Sequence, residues 1–115
     1  MIDSVAQCVF DTLKRGLRYI GNECVSVEMD SRDDGTVDIS ESDGAFAIRI
    51  FPDKIGVQIY TIASRDQAIH VEQSFDMSED DLDDPQDIAY QVCAFLLGEY
   101  VKYSIEKLGA ELLGE

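Results

Sequence analysis

The sequence predicts an α+β domain: a five-stranded antiparallel meander sheet flanked by N- and C-terminal helices that pack on one face, in the order α-β5-α. Three observations carry this. Apolar residues recur at steps of three and four only near the two ends of the chain. Between residues 24 and 75 the period falls to two, the repeat of half-buried strands. The gaps between the alternating runs are too short to hold the crossover helix that a parallel pair needs. At 115 residues the chain is expected to be a single domain, 1–115.

The first helix is read from Ile2, Val5, Ala6, Val9, Phe10, Leu13, Leu17 and Ile20. Asp3 or Ser4 can cap its start, Lys14, Arg15 and Arg18 sit where the macrodipole favours cations, and Gly21 is placed to end it. Alternation then runs through Val25, Val27 and Met29, through Val37 and Ile39, and through Phe46, Ile48 and Ile50. It continues through Ile55, Val57 and Ile59, and through Ile69, Val71 and Phe75. The connections SRDDG, ESDG, FPDK and ASRDQ are turn-like. A second helix is expected from about Pro85 to Leu108, with Asp84 as cap and Pro85 in the first turn. Ile88, Val92, Phe95, Leu96, Val101, Ile105 and Leu108 form its expected core stripe. Tyr90, Leu97, Tyr100 and Tyr103 widen that stripe beyond one contact face, which suggests a homodimer. Gly98 interrupts the helix where it could allow close helix packing.

With both helices assigned to the Val, Ile and Phe face, the other sheet face is expected to be mixed. Ser26, Glu28, Thr36, Asp38 and Glu72 fall towards its edges, and Ala45, Ala47, Phe51, Tyr60 and Ile62 towards its middle. An apolar patch with a polar rim has the character of a partner surface.

Charge narrows the partners. Twenty-four acids against nine Lys and Arg leave a net charge of −15, which repels nucleic acid and anionic membrane and attracts a basic protein. The strongest local signal is the connector EDDLDDPQD. Helix capping accounts for Asp84 and Asp87 but not for Glu79, Asp80, Asp81 and Asp83, which repel one another. Packed carboxylates of this kind can imitate a phosphate backbone.

DSRDDGTVDISE, residues 30–41, resembles a calcium loop: Asp30, Asp34, Gly35, Val37, Asp38 and Glu41 stand at suitable places. Arg32 occupies the third place, where an oxygen ligand belongs, and strands rather than helices flank the segment. Period-two alternation would also send Asp38 and Glu41 to opposite faces. A hairpin closed by RDDG, with glycine at positive φ, accounts for the same residues.

The three cysteines, Cys8, Cys24 and Cys93, are too few and too scattered for a disulfide scaffold or a zinc site. No basic leader or long apolar run is visible, so a cytoplasmic setting is expected. The sequence holds no CxxC, HExxH, GxGxxG or phosphate loop, and His70, its one histidine, is expected on the mixed face near Glu72.

These readings favour a non-enzymatic acidic module without a cofactor. It would occupy a basic site on a nucleic-acid-handling partner, as an inhibitor or nucleic-acid mimic does, through Glu79, Asp80, Asp81, Asp83 and Asp84. The alternative is a small acidic chaperone or adaptor that binds partner segments through the sheet face at Phe51, Tyr60 and Ile62. In size, acidity and α+β character the chain is similar to the dimeric type III secretion chaperones, although it has no helix between its strands. An enzyme or ligand binder using Tyr60 and His70 is the third reading.

Overall fold

The computed structural model describes residues 2–21, 26–42, 44–54, 56–64, 70–78, 80 and 84–113, with backbone alone at 103, 106, 107 and 110–113. The elements are α1 (Ile2–Tyr19), β1 (Val27–Ser31), β2 (Val37–Glu41), β3 (Phe46–Asp53), β4 (Gly56–Ser64), β5 (His70–Ser78) and α2 (Gln86–Leu113). The five strands form one antiparallel sheet in the order β1-β2-β3-β4-β5. The expected α-β5-α layout is therefore the observed one. The expected positions Cys24, Val25, Ile55 and Ile69 lie outside the described residues.

Strand parity decides the layers. Val37 and Ile39 of β2, Phe46, Ile48 and Ile50 of β3, and Val57 and Ile59 of β4 are all buried, as are Phe75 and Met77 of β5. They share one face because registers such as Ile39 opposite Ile48 and Ile50 opposite Ile59 align the odd positions of β2, β4 and β5 with the even positions of β3. Against that face α1 packs Val5, Val9, Leu13 and Leu17, and α2 packs Ala89, Val92, Cys93 and Leu96. Burying each large aliphatic side chain contributes roughly 1.5–3 kcal/mol before entropy is subtracted. Edge-to-face ring pairs, Phe46 with Tyr100 and Phe75 with Phe95, tie α2 to the sheet.

The two helices also pack on each other, and the contact depends on Gly16. A Cβ there would fall on Cδ1 of Leu97, so the axes approach only because Gly16 has no side chain. The expectation had placed close helix packing at Gly98, whose missing Cβ faces open space. The expected core stripe of α2 is likewise shorter than its periodicity suggests. Val101, Ile105 and Leu108 are exposed at 37, 64 and 56%. The reason is length. Twenty-eight helical residues span about 42 Å, whereas the nine residues of β4 span about 30 Å. The helix passes the end of the sheet near Tyr100 and continues beyond it, which gives the chain its 53 Å long axis.

Gly56 opens β4 at φ 156°, paired with Asp53 on one side and Ser78 on the other. A Cβ on this backbone would overlap the carbonyl of Met77, which cannot rotate away as a side-chain tip could. Gly56→Ala is therefore expected to destabilise the fold by about 2 kcal/mol or more, seen as a lower urea midpoint with an unchanged slope.

Candidate functional site

The even positions of β1, β2, β4 and β5 and the odd positions of β3 project to the face that carries no helix, and the registers assemble them into rows. One row runs Glu28, Ser40, Ala47, Ile62, Glu72 from β1 to β5. The next runs Asp30, Asp38, Arg49, Tyr60, Ser74. Beside it, odd position Phe51 of β3 stands opposite Gln58, which stands opposite Asp76. Five strands about 4.8 Å apart make a surface about 19 Å across. Acids stand at both margins, Glu28 and Asp30 on β1 and Glu72 and Asp76 on β5, while Ala47, Phe51, Tyr60 and Ile62 are half-buried between them.

Two shallow depressions lie on this surface. One is lined by Asp30, Asp38, Ala47, Arg49, Tyr60 and Ile62, the other by Asp34, Thr36, Arg49, Phe51, Pro52 and Tyr60. Arg49 and Tyr60 are common to both and form the ridge between them. The expected sheet-face residues Phe51, Tyr60 and Ile62 are thus brought together. Thr36, expected at an exposed edge, is instead buried beside the β1–β2 turn.

Polar contacts fix the ridge. Asp38 accepts from Nε of Arg49 at 2.9 Å and pairs with Nη2 of Arg32 at 2.6 Å. Each arginine is about half exposed, so these pairs fix orientation more than they add stability. The Tyr60 hydroxyl hydrogen-bonds Glu72, and this bond to the carboxylate keeps the phenol protonated above its ordinary range. His70 is exposed, with Nδ1 at 3.0 Å from Oγ of Ser64 and away from the Arg49–Tyr60 ridge.

The calcium-like segment folds as a hairpin that uses its own polar groups. Gly35 sits at φ 87°, its N–H donates to Arg32 O, and Arg32 N–H donates to Thr36 O, so a type I turn ends in a glycine bulge. Asp34 Oδ1 accepts from Thr36 N at 3.0 Å. Arg32, the residue that breaks the calcium pattern, pairs with Asp38, one of the would-be ligands. Glu41, another, lies buried on the opposite side of the sheet, where Oε2 accepts from Ala45 N at 2.9 Å. The β2–β3 turn repeats the device, with Gly44 at φ 82° donating to Glu41 O.

Of the expected connector residues, Asp80 and Asp84 are exposed, and Glu79, Asp81 and Asp83 lie outside the described residues. Among the described residues no group of three His, Cys, Asp or Glu is arranged to hold a metal ion, and no helix is long and apolar enough to cross a membrane. Cys93 is buried with Sγ 3.7 Å from Val9 O, and burial pushes its thiol up to about 12, so it serves as a small core residue rather than a nucleophile. Cys8 lies nearer the surface, with Sγ 3.4 Å from Gln86 Oε1, and burial raises its thiol too.

Glu28 and Glu72 are where the sequence places them, towards the edges of this face, while Asp30 and Asp76 join them only once register is fixed. Alternation places Glu28 and Glu72 on one face but does not show that they close the same row. Comparison with protein-family models, curated proteins and solved structures gives no match for the chain.

The Asp34 contact makes a pH prediction. The backbone bond from Thr36 holds its carboxyl below the reference value of 3.8. A depressed carboxyl stabilises the fold fully above its unfolded value and loses that contribution as pH falls through the folded one. Asp34→Asn is therefore expected to be less stable than wild type at neutral pH, with the gap closing below 3.8 in stepped-pH urea denaturation.

Proposed function

We propose that the protein is a non-enzymatic binding module, chaperone- or adaptor-like, that holds an extended basic and apolar segment of a partner protein against its helix-free sheet face. The observation that supports this is the row structure: half-buried Ala47, Phe51, Tyr60 and Ile62 in the middle, carboxylates at both margins. Apolar side chains of a bound segment would contact the middle, and its Lys or Arg side chains would reach Glu28 and Asp30 or Glu72 and Asp76. The net charge of −15 would speed capture of such a segment and disfavour acidic competitors. Tyr60 is the natural anchor, a rigid ring with its hydroxyl already positioned by Glu72.

A second reading uses the connector. Asp80 and Asp84 are exposed between β5 and α2, in a stretch rich in acids, and would enter a basic groove on a nucleic-acid-handling protein as an inhibitor does.

The two separate by mutation. Fluorescence anisotropy with extended peptides alternating Leu with Lys is expected to show saturable binding, and peptides alternating Leu with Glu none. Tyr60→Ala or Ile62→Ala should each weaken binding about tenfold, and added salt should weaken it further without abolishing it. Asp80→Asn with Asp84→Asn should leave this binding unchanged. Loss on the connector change with retention on Tyr60→Ala would move the site to the connector.

A further inference from the structure

From the outward face of α2 we infer that the chain self-associates, the occupant of that face being a second copy lying antiparallel across a twofold axis. Tyr90, Ala94, Gly98, Val101, Ile105 and Leu108 are all solvent-exposed, and they lie on the side of α2 away from the buried Ala89, Val92, Cys93 and Leu96. From Ala94 onward their spacing is four, three, four, three. That spacing makes one continuous stripe along the helix, as at a helix–helix seam. A helix apolar on both sides calls for cover on both, and among the described residues only the first side receives it.

The identity of the occupant follows from size and charge. Ala94 and Gly98 leave the seam hollow along the body of the protein, with no atom within 4 Å of a Cβ built on Gly98. Ile105 and Leu108 make it bulky along the projecting part. An antiparallel copy centred between Val101 and Ile105 sets Gly98 opposite the second copy's Leu108, and Val101 opposite its Ile105. Each copy thus supplies the bulk that fills the other's hollow, and the surface is complementary to itself, as a twofold interface requires. Charge permits the same place. Residues 90–113 hold three acids and two lysines within a chain of −15, so repulsion between copies is low there. Antiparallel pairing also carries the two acidic bodies to opposite ends of the seam.

Sedimentation equilibrium of the full chain at about 100 μM is expected to give twice the 12.8 kDa monomer mass. The dimer should strengthen as salt screens the repulsion between bodies, whereas capture of a basic partner weakens. Ile105→Glu, at a side chain exposed in the single chain, should weaken dimerisation at least tenfold with helix content by circular dichroism unchanged. Gly98→Glu, at a position with open space around it, should do the same independently. A chain that stays monomeric in high salt, whether or not it then binds neutral lipid vesicles, overturns the inference. So does a dimer that survives both substitutions.

Discussion

Both helices lie on the same face of the sheet, and the rest of the molecule depends on that constraint. It follows from parity. The odd positions of β2 and β4 and the even positions of β3 supply Val, Ile and Phe, and among the described residues the two helices carry the apolar stripes that cover them. Once α1 and α2 are both committed there, no described helix covers the other face. That face must be tolerable in water, and its acids, serines and half-buried apolar centre are a solution that leaves it free to bind.

The covered side is built tightly and the free side loosely. Under the helices, Gly16 lets Leu97 close the helix–helix contact and Gly56 lets β4 and β5 approach. Either contact fails if one carbon is added, as close packing demands. On the free side the fixed points are polar and partly solvated: Arg32 and Arg49 share Asp38, and Tyr60 is tied to Glu72. Such contacts orient side chains at little net cost or gain. The same division explains the cysteine at the core. Cys93 lies where desolvation suppresses its thiolate, so the thiol contributes volume and no reactivity.

Much of this was legible in the residues. The change of period from 3.6 to two marked the helices and strands, and the RDDG and ESDG turns announced glycines that do take positive φ. The hairpin form of residues 30–41 was also legible in the sequence, because Arg32 and the two-residue alternation already pointed to it. What local pattern does not carry is extent. Val101, Ile105 and Leu108 have the spacing of a core stripe, but periodicity reports which side of a helix is apolar, not whether anything stands opposite. Close packing of the two helices was read at Gly98 and is found at Gly16 for a related reason, since a glycine's role depends on the neighbouring element. The sheet-face residues Phe51, Tyr60 and Ile62, with Glu28 and Glu72 at the edges, could be grouped by parity, while Asp30 and Asp76 needed the strand registers.

The central claim is that the helix-free sheet face is the binding surface. Its most direct test is amide chemical-shift mapping on the isotope-labelled chain, titrated with a Lys- and Leu-rich extended peptide. The claim predicts shifts that saturate together at Ala47, Arg49, Phe51, Tyr60 and Ile62 and at the marginal acids, with α1 and α2 unmoved. Shifts concentrated at Asp80 and Asp84, or along α2, with the sheet face unchanged, would contradict it.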